Sequence, residues 1–471
     1  MSFELYEYKI EDLGKVITGK TPSSKISDAF SAQGIPFVTP KDMDGRRLID
    51  KTERYLSSQG VEAVRNCLLP QNSIAVSCIG SDMGKTVLLP GESITNQQIN
   101  AIVVDSEHFD YKYVYYYLST LQDDFKAIAG GSATPILNKG HFSQFKVSLP
   151  VKPVQNKIAL ILDSLDTKIE VNTEINHTLE QMAQALFKSW FVDFEPVKAK
   201  MAVLESGGSQ ADAMLAAMTA ISGKDADALA VFEREHPEQY AELKATAELF
   251  PSAMRESELG EIPEGWYQTL LSELTGFLNG YAFKSKDWRE TGFPVVKIGS
   301  VKPGFVDLKN CSYIDGIGIK NLERFEVFSG DILVGMTGYP GETGIIPETM
   351  QRVYLNQRVG KFTPLFEFLY SYVYTLVRNN NFKIYVSGQA HGSAQANISS
   401  NDILQYPVVK PNDALLRAFD VVVRNLISLK LKNQAQIQSL EQLRDTLLPK
   451  LLSGEITLPE AEQAVSEVEN V

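Results

Sequence analysis

Two copies of one design run end to end in this chain, about 261 residues apart, and that duplication restricts its fold more than any single motif does. Asn96-Gln97 returns as Asn356-Gln357, and Gly131-Ser132-Ala133 as Gly392-Ser393-Ala394. Gln144-Phe145, shortly before Pro150, returns as Gln405-Tyr406 before Pro411. Each copy then enters a segment with an apolar heptad frame. Ile158, Leu165, Asn172, Leu179 and Leu186 step by seven, and so do Phe419, Leu426, Asn433, Leu440 and Leu447, with the same offset at every member. Two similar globular heads, each followed by a long helix, suit a target that comes in two separated parts.

Size and composition agree with this division. At 471 residues the chain exceeds what one hydrophobic core covers, so two or more domains are expected. With 44% apolar and 10% aromatic residues, wholesale disorder is excluded. Residues 1–9 carry no basic region followed by an apolar run, so no secretory signal is expected. No window approaches the roughly 18 uninterrupted apolar residues of a membrane span. Cys67, Cys78 and Cys311 are few, odd in number and scattered, which fits a reduced cytoplasmic chain rather than a disulfide framework. Five scattered histidines and no CxxC spacing offer no metal site.

A net charge of −13 argues against nucleic acid only until its distribution is read. Residues 195–264 hold 14 acids and 6 bases, and 455–471 hold 5 acids and no base. The remainder carries 39 of each sign. The heads and their helices are balanced, which leaves room for local basic faces.

In the first head, residues 1–150, β-like runs at Ile35–Thr39, Ser73–Ser77, Thr86–Leu89 and Ala101–Val104 precede an aromatic helical stretch, Tyr111–Leu121. The second head, 265–410, repeats the order with Phe293–Ile298, Asp331–Val334, Gly344–Pro347 and a helix over Glu367–Arg378. The fold class is therefore α+β, with two similar mixed domains. Pro153 opens the first long helix (151–194), where proline is tolerated. Its second apolar row is Ile161, Ile175 and Met182; that of the second helix (411–454) is Val422, Leu429 and Leu443. Matching frames on two distant helices predict an antiparallel coiled-coil pair, with Asn172 and Asn433 meeting near its middle and favouring one register. A helix of about 35 residues would be roughly 50 Å long. Residues 195–264 read as a partly helical acidic connector and 455–471 as an acidic tail.

Gly14 to Thr21 matches the GxxxxGK[ST] phosphate-loop pattern. Such a loop needs a buried strand before it and a helix after it, so that the helix N-terminus meets the phosphates. Here Glu11-Asp12 precede it and Pro22-Ser23-Ser24 follow, which reads as a turn. The matching Gly276–Tyr281 lacks the lysine and the threonine, so the shared fold does not require them. A phosphate-loop ATPase is therefore the weaker alternative, beside a coiled-coil scaffold without DNA contact. Gly80–Thr86 misses the same pattern by one residue. No tetrad for presenting an extrahelical base to a methyl donor and no GxSxG is found, so no catalytic role is expected.

The polar loops offer better chemistry. Lys20, Thr21, Ser23, Ser24, Lys25, Lys41, Arg46, Arg47, Lys51 and Lys85 make the first head locally basic. Asn279, Tyr281, Lys284, Lys286, Trp288, Arg289, Lys297 and Lys302 do so for the second. Lysine and arginine neutralise phosphates, whereas Asn, Gln and Arg read base edges. The Asn-Gln pair common to both heads reads as structural. Gln98 and Arg358, which differ between the heads, are the better candidates for reading different bases.

The duplicated order now carries a resemblance. It rests on Leu13-Gly14 and Gly19–Pro22 with their partner Asn279–Lys284, and on the junctions into each helix. Phe187–Phe194 and the ending Leu443–Glu455 complete it. Over essentially its full length the chain resembles the specificity subunit of type I restriction–modification systems. The resemblance implies two target recognition domains, each reading one half of a bipartite DNA site, with the paired helices as spacer. It also implies docking of two methyltransferase subunits and of motor-nuclease subunits. S-adenosylmethionine, ATP and Mg²⁺ would then belong to those partners, with no cofactor in this chain.

Overall fold

The computed structural model describes residues 3–129, 136–258, 260–309, 311–338, 340–390 and 396–469. The repeated Gly131–Ala133 and Gly392–Ala394 lie outside the described residues. The chain divides into two compact units: Met1–Glu170 with Gln438–Val471, and Val171–Ile437.

The first unit is built around an antiparallel sheet whose spatial order is Gly14–Thr18, Ile99–Val104, Ser73–Ser77, Thr86–Leu89. Side chains alternate across a strand, and this sheet uses both faces. Ile74 and Val76 enter a core shared with the helices, while Ala75 enters a second core beneath a smaller sheet. That smaller sheet orders Phe30–Ser31, Tyr55–Leu56, Ile35–Val38 and Ile94–Thr95. On the helical side lies Tyr111–Ser119, capped by Asp110, whose carboxylate accepts from Tyr113 N at 2.8 Å. Strand Tyr6–Lys9 pairs with Lys146–Leu149, tying the start of the head to the junction before the first long helix.

The second unit repeats the plan. Thr275–Asn279, Val359–Pro364, Ile332–Gly335 and Thr343–Ile345 take the same spatial order. Ile332 and Val334 face the helical core and Leu333 the opposite one. Tyr370–Arg378 is the aromatic helix. Tyr6↔Leu149 in the first unit returns as Tyr267↔Lys410, each partner displaced by the sequence offset. Gly14–Thr18, which the phosphate-loop pattern covers in part, is instead a strand of the central sheet, paired with Ile99–Val104. No α-helix follows it before Ser58–Ala63, which removes the phosphate-loop reading.

The long helices are Lys152–Phe191 and Asp413–Ser453. Within each unit their segments pack antiparallel: Asp166 meets Arg444 in the first, while Asn172 meets Gln436 and Glu180 meets Lys430 in the second. Ile158, Leu165, Phe419, Leu440 and Leu447 are buried as the heptad frame requires. Leu179, Leu186, Leu426 and Asn433 are only half-buried, and the second row fails more plainly. Ile175, Met182, Val422 and Leu429 are 42%, 49%, 44% and 51% exposed. Asn176, Ala183 and Trp190, and Val423 and Lys430, occupy the interior instead. A straight helix drifts against a strict seven-residue repeat. Beyond Asn172 the buried row moves on by four residues, turning the inner face toward the second head. Asn172 therefore donates from Nδ2 to Gln436 Oε1 at 2.8 Å rather than meeting Asn433.

The acidic connector is more ordered than its composition suggests. Helices Glu195–Glu205, Gln210–Ser222, Ala226–Glu235 and Pro237–Glu248 close on a small core of Ala217, Met218, Leu229 and Ala247. Buried Lys200 donates from Nζ to the carbonyls of Ala247 and Phe250, both at 2.6 Å, satisfying the end of the last helix. The acidic tail likewise forms a helix, Leu458–Glu469. Ala461 is fully buried there, with Ile456, Leu458 and Val465 packed against the first head's helical core at helical spacing.

Candidate nucleic-acid interface

At one rim of each central sheet three loops meet. In the first head the loop after Thr18 is tied to the Asn96-Gln97 loop, since Lys20 N donates to Thr95 O at 2.9 Å and Thr21 Oγ1 to Gln97 Oε1 at 2.7 Å. Asn96 spends its own amide on Gln98, accepting from Gln98 N at 3.0 Å and donating to Gln98 Oε1 at 3.1 Å. Cys78 N donates to Gln98 O, and Ile79 bridges Ile136, which supplies the third loop.

The second head builds the same rim from other side chains. Tyr281 N donates to Leu355 O at 2.8 Å and Gln357 N to Tyr281 O at 2.9 Å. Met336 N donates to Arg358 O, and Thr337 bridges Asn397, whose Oδ1 accepts from Thr337 Oγ1 at 2.7 Å and Arg358 Nη1 at 3.3 Å. Gln98 thus corresponds to Arg358 and Ile136 to Asn397. The backbone framework is common, whereas the groups it presents differ in hydrogen-bonding pattern and charge.

Of the sequence-derived candidates, Lys20, Thr21, Ser23, Ser24 and Lys25 are exposed on the segment after Thr18, with Lys20 and Thr21 bonded to the Thr95–Gln97 loop, and Lys284, Lys286 and Arg358 are exposed in the second head. Tyr281, Phe283 and Trp288 form an aromatic cluster, with Lys297 Nζ 3.7 Å from the Trp288 ring centroid and bonded to Ser312 Oγ at 2.6 Å. Arg289 is paired with Asp315 at 2.7 Å. Lys297 and Arg289 therefore shape the loop and are already engaged.

A second group sits elsewhere. Arg46, Arg47 and Lys85 line a cleft with Tyr116, Asp166 and Arg444, on the side of the head that meets the long helices. Arg47 is 11% exposed and reaches Asp163 Oδ1 at 2.5 Å and Glu170 Oε1 at 2.9 Å. Burial disfavours its charge, yet Glu170 and Asp163 together hold its pKa above the ordinary arginine value. Its guanidinium is committed to the helix and is not free for phosphate. Arg46 pairs with Asp44 and Asp50, Lys85 with Asp82, and Lys41 is exposed beside buried Asp42. Lys302, although exposed, lies on the hairpin whose Gly304 carbonyl accepts from Lys430 at 3.0 Å, again facing the helices. Basic character in the sequence did not separate these helix-facing groups from the rim.

The fold also gathers Asp105, Glu107 and His108 on an exposed turn, a grouping that the scattered histidines did not reveal. Asp105 already accepts from Glu107 N and pairs with His108 Nδ1 at 2.8 Å, which accounts for the cluster as a turn. The three cysteines are free and buried. Among the described residues, no helix is long and apolar enough to cross a membrane.

Two copies of one rim, carrying different polar groups and each set on its own stretch of an antiparallel helix pair, define a duplicated recognition protein. The chain belongs to the family described as the type I restriction modification DNA specificity domain, whose model matches residues 4–181 and again 263–437. It is 32% identical over 322 residues to the type I restriction enzyme HindI specificity subunit of Haemophilus influenzae, covering 67% of this chain and 70% of that one. It is 25% identical over 460 residues to the MjaIX specificity subunit of Methanocaldococcus jannaschii, covering 96% and 93%. The crystal structure of a type I restriction-modification S subunit from M. genitalium shares the fold, with a TM-score of 0.51 at 15% identity and 96% coverage of both chains. Residues 182–262, which hold the end of the first long helix and nearly all of the connector, fall between the two family matches.

Proposed function

We propose that this chain is the non-catalytic DNA-recognition subunit of a type I restriction–modification complex, in which each head reads one half of a bipartite site. One observation carries the reading: the same three-loop rim is built twice, with Gln98 and Ile136 exchanged for Arg358 and Asn397. Glutamine favours adenine edges and arginine guanine edges, so a shared frame with different readers suits two different half-sites. Lys20, Lys25, Lys284 and Lys286 supply phosphate contacts beside the readers, and Thr21 and Tyr281 shape the loops. Two rims engaged on one duplex can address major grooves about one helical turn apart, near 34 Å.

Two methyltransferase subunits dock on the helices, and motor-nuclease subunits join the assembly in the cytoplasm. Support for docking comes from the exposed apolar row Val171, Ile175 and Met182 on the first long helix and from Val422 and Leu429 on the second. Such side chains are costly to leave in water and suit helices of a partner. S-adenosylmethionine, ATP and Mg²⁺ belong to those partners. Binding by this chain alone is weak, because balanced heads release few counterions.

The test is selection from random duplexes by the chain assembled with its methyltransferase. A two-part sequence with a fixed gap supports the reading; enrichment of no sequence refutes it and favours a scaffold.

A further inference from the structure

Each head is joined to the long helices by a buried carboxylate that contacts three elements at once. In the first unit this is Asp166, 7% exposed at its side chain. Its Oδ2 accepts from the Tyr116 hydroxyl of the aromatic helix at 2.6 Å, and its Oδ1 from Arg444 Nη1 of the second long helix at 2.8 Å. Arg47 and Lys112 of the same head hold neighbouring Asp163, each at 2.5 Å.

In the second unit the carboxylate is Glu180. It accepts from the Tyr374 hydroxyl of the aromatic helix, from Arg378 Nε at 3.0 Å, and from Lys430 Nζ of the second long helix at 2.7 Å. Lys430 is itself 9% exposed and also donates to Gly304 O of the head. The two junctions use the same three parts, namely a tyrosine of the head, an acid of the first helix and a base of the second. Asp166 and Glu180 stand two heptads apart in sequence, as do Lys430 and Arg444. Apolar packing of a head on a helix pair tolerates small rotations, but a directional, buried ion pair is satisfied in one seating only.

We propose that Asp166 and Glu180 are positioning residues that set the gap accepted between the two half-sites, by pinning each head to one seating on its stretch of the helix pair. This rests on the bipartite reading given above. Neither residue reaches the three-loop rim, so neither selects bases; each selects the separation at which both rims engage together.

The test uses the chain assembled with its methyltransferase and a duplex series carrying both half-sites at the native gap and at gaps one and two base pairs longer or shorter. The wild-type complex is expected to lose about tenfold or more in methylation rate for one base pair of change, in keeping with the cost of a misplaced contact. Glu180→Gln and Asp166→Asn should narrow that difference to about threefold, with half-site sequences unchanged. Tyr116→Phe and Tyr374→Phe, which remove one hydroxyl and no charge, should do so more weakly and serve where an acid variant fails to fold. Arg444→Lys should retain the wild-type preference. Folded variants with wild-type gap preference, or with equal loss at every gap, would overturn the proposal. A wild-type complex that selects no two-part sequence would instead overturn the DNA reading itself.

Discussion

Gly19 and Gly280 hold the same duty in the two heads. A methyl at Gly19 would stand 2.2 Å from the Asn96 carbonyl oxygen, and at Gly280 2.1 Å from that of Asn356. In both heads the Asn-Gln loop is thus seated against a glycine through its backbone, which explains why glycine recurs there. Gly19→Ala and Gly280→Ala should each cost about 1–3 kcal/mol through backbone displacement, read as a lower melting temperature. Each should weaken one half-site only. Arg47 and Lys25 make the converse pair. Arg47→Ala leaves a cluster of helix carboxylates short of a cation and should destabilise by up to about 3 kcal/mol in denaturant unfolding. Lys25→Ala should leave stability unchanged and reduce the salt slope of DNA binding by about 1. The sequence showed both as basic residues in loops. Which faces phosphate and which a carboxylate depends on the long helices, far away in the chain.

At the scale of elements, periodicity was readable and its phase was not. Strands Ser73–Ser77 and Thr86–Leu89 have the bounds expected from the apolar runs and turn signals. The long helices were equally legible as helices, yet their inner face beyond Asn172 was not, because it depends on Tyr372 of the second head packing against Phe187 and Phe191. The row left outside is available to a partner. Ile175→Glu with Leu429→Glu should change stability by no more than about 0.5 kcal/mol, as exposed substitutions do. It should abolish co-purification with the methyltransferase; retained co-purification would move the docking surface elsewhere. The Glu180 junction has an acid limit. Burial pushes its carboxyl up, but Lys430 and Arg378 together draw it below the ordinary value of 4.5. A carboxyl lowered in the folded state stabilises fully above its unfolded value and loses that contribution as pH falls below it. Stability should therefore drop with acid below about pH 4.5, and Glu180→Gln should flatten that part of the profile.

The whole molecule shows how an acidic chain can serve a polyanionic target. The negative excess is confined to a folded connector and to a tail helix packed on the first head's core, leaving the heads balanced. Duplication carries the rest: the sequence offset between Asn172 and Asn433 foretold two heads of one topology, and strand order confirms it. In the proposed function each head reads its own half-site. Exchange of residues 1–150 for the corresponding head of another family member, followed by sequencing of methylated sites in cells, tests it most directly. One half of the methylated sequence should change while the other half stays as before. A change in both halves, or in neither, would contradict the account.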